Sequence, residues 1–401
     1  MDLLKRNRSF RTLFIAQIVS YSGDWFATVA LLGIVKEVTD SALLVTLVWV
    51  FQSLPGFIAS PWAGSVADRF DRRKVMIIVS SMQAIAALGY LAVHSKSTVV
   101  FGLVAETIVA GLASFFGPAS QAALPNVVAT EDLGQANAIM SSTWGAMLAI
   151  GAGLGGIFTK FAGRNAAFIF DAATFAVAAL LIATVRVPMN QVRSTDRQKM
   201  RPIHDTREAL AFARPRPTIL ALLASKCSFG LGAGVVALLP ILATKKFHGG
   251  DGTTGLFLSA RGLSVLIGPF LIRRFVGSSV PRIIKVCGFA TVIYGAMYFI
   301  VGSAGSTTMA VVFIFLAHIG GGWQWAFSSL GLQLATPDEF RGRIFAADYA
   351  LVTLTMSISS AGAGALAEHY GPGRVMSGIA LVSLVLGSMY LWTTRRLSAA
   401  E

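Results

Sequence analysis

Long apolar runs, each interrupted by a few polar residues, recur from one end of the chain to the other. They predict twelve helical spans at roughly 12–35, 42–63, 75–94, 98–123, 136–160, 165–186, 218–243, 253–272, 282–302, 307–334, 343–367 and 374–394. Runs of about 20 apolar residues suffice to cross a hydrocarbon core of roughly 30 Å. The two-residue alternation of a membrane barrel is absent, so the expected class is an all-α membrane protein with twelve transmembrane helices. A single long polar stretch, from Arg186 to Pro217, divides six spans from six, which gives expected units of 1–186, 187–217 (a basic linker) and 218–401. An internal repeat agrees with that division. At an offset of 208, Glu131, Gly134, Gly156 and Gly163 fall on Glu339, Gly342, Gly364 and Gly371, as two pseudo-symmetric six-helix bundles require.

Composition strengthens the membrane reading. The chain is 55% hydrophobic and 13% charged, with a mean hydropathy of +0.68, more apolar surface than a soluble core can hide. Its net charge of +14 does not point to nucleic acid, because the basic residues sit in short loops between spans. Twenty-four of the 33 lysines and arginines lie in the loops on the side of the two termini, against seven in the opposite loops. That asymmetry places both termini in the cytoplasm, in a cytoplasmic (inner) membrane. The first apolar run has an acid at its centre and is followed by many others, so it reads as a span and not as a cleavable leader. Within the linker, Arg207 to Phe212 has the pattern of a short amphipathic surface helix.

Nothing in the spacing suggests an enzyme. Cys227 and Cys287 read as small packing residues inside helices, and the five histidines are scattered with no nucleophile or metal-ligand pattern around them. No cofactor is expected. The expected partners are a small amphipathic substrate and membrane lipids, with no nucleic acid, and the chain is expected to be a monomer.

The ionisable residues within spans are the informative set, because charge is costly in lipid and normally faces a bundle interior. They are Asp24, Glu106, Asp171, Lys226, Arg261, His318 and Asp348. Asp24 lies near the midplane, on a polar stripe with Gln17, Tyr21 and Thr28 that is expected to line a cavity and to exchange a proton. Glu106 heads a stripe of small residues, Ala110, Ala113 and Gly117, that continues to Gln121. Lys226 and Arg261 supply positive charge that pairs with Asp24 or Asp171 or meets an anionic substrate; spacing leaves these open. His318, Trp325 and Ser328 share a face of the tenth span that suits either a ligand or core packing.

Between the second and third spans runs a charged turn, Gly64-Ser65-Val66-Ala67-Asp68-Arg69-Phe70-Asp71-Arg72-Arg73-Lys74. Its Gly64, Asp68, Arg69, Arg72 and Arg73 resemble the loop signature of the major facilitator superfamily of secondary transporters, with Asp71 where Gly is common. Gly23-Asp24-Trp25, Leu124-Pro125-Asn126 and Ala167-Phe168-Ile169-Phe170-Asp171-Ala172 are similar to the branch that holds the enterobactin exporter and macrolide-efflux proteins, and more distantly the lysophospholipid transporter. That resemblance implies the major facilitator fold, alternating access, and proton-coupled efflux of a drug-like or siderophore-like compound by an antiporter of multidrug type. It also implies a gate in which Asp348, at the start of the eleventh span, pairs with the charged turn. Lysolipid transport on the same fold is the alternative. A receptor or scaffold would bind ligand without flux, and the midplane acid together with the turn argues against it.

The topology is open to a direct check. In a Cys227→Ser, Cys287→Ser background, Thr195→Cys is expected to resist an impermeant maleimide in intact cells and to react after permeabilisation. Labelling from outside overturns the cytoplasmic assignment.

Overall fold

The computed structural model describes residues 2–129, 132–189, 208, 210–277 and 279–398. Its twelve long helices are α1 (Arg8–Thr39), α2 (Ala42–Arg69), α3 (Arg72–Ala87, continued by a 3-10 segment Leu88–Ala92), α4 (Val99–Val127), α5 (Leu133–Ala162), α6 (Arg164–Thr184), α7 (Pro217–Lys245, in three pieces), α8 (Asp251–Val276), α9 (Val280–Ser303), α10 (Thr307–Ala335), α11 (Asp338–Tyr370) and α12 (Pro372–Thr393). All are long and apolar enough to cross a membrane.

The helix ends follow from local chemistry. Asn7 and Ser41 accept hydrogen bonds from the backbone amides of Phe10 (2.9 Å) and Leu44 (3.2 Å), capping α1 and α2. Asp71 caps α3, its Oδ1 accepting from Lys74 N at 2.9 Å, which gives a reason for an acid at that point of the turn. Gly163 and Gly371, matched in the sequence repeat, both have positive φ (83° and 81°) and both separate a pair of helices with no intervening loop. α7 is where the periodicity and the structure part. A continuous helix over 218–243 is expected, whereas the helix breaks near Gly232 and again at Leu238. Ser359 of α11 repairs the first break, donating to Leu231 O (2.5 Å) and accepting from Gly234 N (2.9 Å), so backbone groups freed within the membrane find partners.

Packing obeys the repeat. In the first bundle α1 packs on α5 and α6, α2 on α4, and α3 on α4 and α6. In the second, α7 packs on α11 and α12, as α1 does on α5 and α6, and also on α10; α8 packs on α10, and α9 on α10 and α12. The bundles meet chiefly through α5 against α8 and α2 against α11. Glycines set both seams: a Cβ on Gly156 would fall 2.7 Å from Asp251 O, and one on Gly364 would fall 2.8 Å from Leu43 Cα. These two glycines are counterparts in the sequence repeat, so one small residue used twice brings the halves together.

The seams close at the face remote from the chain termini. Arg164 binds Asp251 through Nε (2.8 Å) and Nη2 (3.3 Å) and also pairs with Glu37, tying α6 and α1 to α8. Glu368 of α11 takes the Ser41 hydroxyl and the Leu43 amide of α2. Lys36 pairs with Asp40, holding its carboxyl below the usual aspartate range, and Lys245 lies 3.6 Å from the other oxygen.

At the face of the termini, the described ties stay within a bundle. Arg72 donates to Ala122 O (2.8 Å) and Met189 O (3.2 Å), and Arg73 donates to Ala183 O. Glu208, at the end of the linker, pairs with Arg343 at 2.7 Å, and Phe212 stacks on Phe340 with ring centroids 4.0 Å apart. The side chains of Gly64, Asp68 and Arg69 lie outside the described residues, as do most of the linker and residue 207 of its expected amphipathic helix.

This arrangement predicts that Arg164 holds the far face shut. Its pair with Asp251 is partly buried and worth about 1 kcal/mol, a factor of roughly five in population. In the cysteine-free background, Arg164→Gln is expected to speed maleimide labelling of Ser259→Cys, in the α5–α8 seam, about five-fold. An unchanged rate contradicts the latch.

Candidate functional site

Between the bundles lies a cavity of ≈ 430 Å³, walled by polar stripes of both halves. From the first come Tyr21, Asp24 and Thr28 of α1, then Trp49, Gln52, Ser53 and Gly56 of α2, whose spacing of three, one and three places them on one face. The second half supplies Arg261 (α8), Trp325 (α10) and a face of α11 that includes Tyr349 and Thr353. Asp24 is sixteen residues from the start of α1 and fifteen from its end, roughly 23 Å along the helix from either.

Three carboxyls gather on the first-half wall. Asp24, Glu106 and Asp171 are close enough for their charges to interact, and all three line the cavity. Gly23 makes this possible: a Cβ there would meet Asp171 Oδ1 at 2.7 Å and Asp171 Cα at 3.0 Å, so only glycine lets α1 approach α6 and bring Asp171 beside Asp24. Glu106 is held from two sides. Tyr90 Oη donates to its Oε2 at 2.6 Å, and the Gln52 amide reaches it as well, while also lying 3.4 Å from Thr28 Oγ1. Asp171, 1% exposed, has an Oδ1 with no hydrogen-bond partner among the described residues. No lysine or arginine pairs with any of the three among the described residues. Acidic side chains are costly inside a membrane and normally face a bundle interior or a water-filled cavity, as these three do.

The second-half wall is different. Lys226 pairs with Asp348, both side chains 4% exposed, and its Nζ also reaches Ser329 Oγ at 3.1 Å and lies 5.2 Å from the Trp325 ring centroid. This corrects two expectations. Lys226 meets neither Asp24 nor Asp171, and Asp348 is engaged inside the second bundle by a lysine 122 positions earlier in the chain, not by the charged turn. Arg261 remains without such a partner: its guanidinium lies 5.9 Å from the Trp49 ring centroid, near Tyr294, Tyr298 and His318.

Other sequence candidates divide. Tyr21, Asp24, Thr28, Glu106, Asp171, Arg261 and Trp325 come together at the cavity, whereas Gln17 is buried one turn away, close enough to hydrogen-bond Tyr21. His318 is a core residue, its Nε2 2.8 Å from Tyr298 Oη and its ring edge-on to Tyr294, and Ser328 bonds back to Gln324 O. The shared face of the tenth helix therefore splits, with only Trp325 at the cavity. Sequence reasoning missed Tyr90, Trp49, Gln52, Trp144 and Tyr349. The α2 stripe is legible in its spacing, but Tyr90 follows the helical part of α3 and carries no periodic signal.

A second recess of ≈ 510 Å³ between α5, α8 and α10 is lined by aliphatic side chains, Phe315 and a single hydroxyl, Ser259.

Comparison with known proteins agrees with this geometry. A putative bacilysin exporter, BacE, of Bacillus subtilis is 24% identical over 90% of this chain and 88% of its own length. The staphyloferrin A transporter of Staphylococcus aureus is 20% identical over 96% of each chain, and an uncharacterised MFS-type transporter of Bacillus subtilis, YfiS, is 25% identical over 97% and 92%. Among solved structures, a POT family transporter in complex with a thioalcohol-conjugated peptide superposes with a TM-score of 0.78 at 12% identity, over 98% of this chain and 97% of that one. A bacterial homologue of the lysosomal transporter Spinster, inward-facing and unoccupied, gives 0.74 at 14% identity over 97% and 96%. The profile of the transmembrane secretion effector family matches residues 4–400, and with the twelve-helix fold it shows that the chain belongs to that family of major facilitator secondary transporters, which are not enzymes.

Proposed function

We propose that this transporter exports a small amphipathic compound in exchange for protons, by alternating access. The observation that carries the reading is the group of Asp24, Glu106 and Asp171, without a cation, on the wall of an aromatic cavity between two bundles that are latched at one face. With the termini in the cytoplasm, as the basic asymmetry implies, the Arg164–Asp251 latch lies at the outer face, which supports reading this conformation as inward-facing. Release of the latch and closure of the inner face then carry the same cavity to the other side. The carboxyls exchange substrate for protons on each crossing, because substrate and proton compete for one set of oxygens. The relatives named for exporting bacilysin and transporting staphyloferrin A favour efflux of a small natural product. Trp25, Trp49, Trp144 and Trp325 suit an apolar or aromatic body. The monomer holds the whole cavity, and no subunit contact is needed to complete it.

A second reading, lysolipid transport, draws support from the apolar recess between α5, α8 and α10, which suits an acyl chain. Flux in proteoliposomes with lipophilic cations, siderophores and lysolipids, at imposed pH and sodium gradients, decides between the two.

The coupling role is tested on the carboxyls themselves. Asp24→Asn is expected to reduce pH-gradient-driven accumulation at least about ten-fold while leaving substrate exchange at equal concentrations intact. If Glu106 carries the proton, Glu106→Gln shows that split and Asp24→Asn does not. Full proton-driven transport in both variants and in Asp171→Asn refutes coupling through these acids and favours a sodium-coupled or uniport cycle.

A further inference from the structure

Two cations stand deep in the spans of the second half, away from the helix ends, and the structure treats them oppositely. Lys226 is neutralised by Asp348. Arg261 is not: no hydrogen bond or ion pair engages its side chain among the described residues, and its Nε and Nη1 are buried without a partner. Its surroundings are the indole of Trp49 and the rings of Tyr294, Tyr298 and His318, with no carboxylate among them. Asp24, Glu106 and Asp171 line the same cavity from the first-half side, and no lysine or arginine pairs with them among the described residues. A buried cation left unpaired on one wall, facing uncompensated acids on the other, is costly for the empty protein and is relieved by a ligand that bridges them.

We propose that Arg261 is the anion-binding subsite of this cavity and that the substrates are small amphoteric compounds, with an amine toward the Asp24 wall and a carboxylate on Arg261. The proposal rests on reading the cavity as the transport site and names the substrate class it takes. Three features argue for both charges together. A purely cationic ligand meets Arg261 as a repelling neighbour, and a purely anionic one meets the acids. The guanidinium presents a planar fork that matches a carboxylate, where an ammonium such as that of Lys226 offers only a point charge. Trp49, beside Arg261, and Trp325, beside Lys226, both line the cavity and offer aromatic surface to the body between the two charges.

The test measures binding to the purified full-length protein, using matched triplets built on three aromatic dipeptide bodies. Each triplet holds the free dipeptide, its carboxamide (cationic only) and its N-acetyl derivative (anionic only). In the unmodified protein the free form is expected to bind at least about ten-fold tighter than either derivative for at least one body. Arg261→Gln is expected to bring the free form within about two-fold of its carboxamide while preserving the preference over the N-acetyl form; Arg261→Lys is expected to fall between. If no free form outbinds its carboxamide in the unmodified protein, the proposal fails, whatever the variants do. It fails as well if folded Arg261→Gln keeps the ten-fold preference. Because these arms need no flux, they separate the two readings. Preference for the free form without pH-driven transport leaves the subsite and refutes the antiporter, whereas pH-driven transport of cationic probes with no carboxylate preference does the reverse.

Discussion

Charge inside a hydrocarbon layer must be paired, solvated or put to use, and this constraint orders the interior of the protein. Lys226 and Asp348 satisfy it by pairing, buried to the same degree and braced by Ser329. Asp24, Glu106, Asp171 and Arg261 satisfy it by facing a shared cavity. Removing one member of the Lys226–Asp348 pair would leave a bare buried charge, at a cost of about 3–5 kcal/mol, so that pair reads as structure. The cavity groups have no ion-pair partner among the described residues, although Tyr90 and Gln52 hydrogen-bond Glu106, and function is the natural account of why they persist.

The same economy governs the backbone and the seams. A break in α7 is admissible because Ser359 of α11 fills both the donor and the acceptor it exposes. That makes the seventh and eleventh helices one mechanical unit at that depth. Gly156 and Gly364 let α5 lie on α8 and α11 on α2 with backbone in contact, so the halves can rock about narrow, smooth seams while the side chains that matter stay on the cavity walls. Among the described residues, the polar ties between the bundles lie at the far face, where Arg164, Asp251 and Glu368 reach polar surroundings and release costs little.

The twelve spans were legible because the hydrocarbon thickness sets a length that a sequence must meet; α10 and α12 keep their expected bounds within two residues, whereas α2 runs on to Arg69 and α11 begins at Asp338, both beyond expectation. Gly163 and Gly371 were legible as a repeat, and their matching positive φ shows what was being repeated. Asp24, Glu106 and Asp171 stood out because an acid in an apolar run is conspicuous. Partners were not legible. Helical spacing says which residues share a face but not which helix that face meets, so Asp348 was assigned to the charged turn when Lys226, 122 positions away, holds it. The face of His318 leaves ligand and core open for the same reason, since nothing local indicates that Tyr298 lies on the neighbouring helix. Gly23 illustrates the subtler limit: its role is visible only once α6 is known to lie against it.

Counterflow of protons tests the central claim most directly. Proteoliposomes holding the purified protein and an entrapped pH indicator, with no imposed pH gradient, are given a transported compound on one side. The account predicts that entry of the compound drives protons out in step with it, and that this proton movement disappears in a variant lacking the carrier carboxyl while substrate exchange continues. Substrate entry with no accompanying proton movement in the unmodified protein would contradict it.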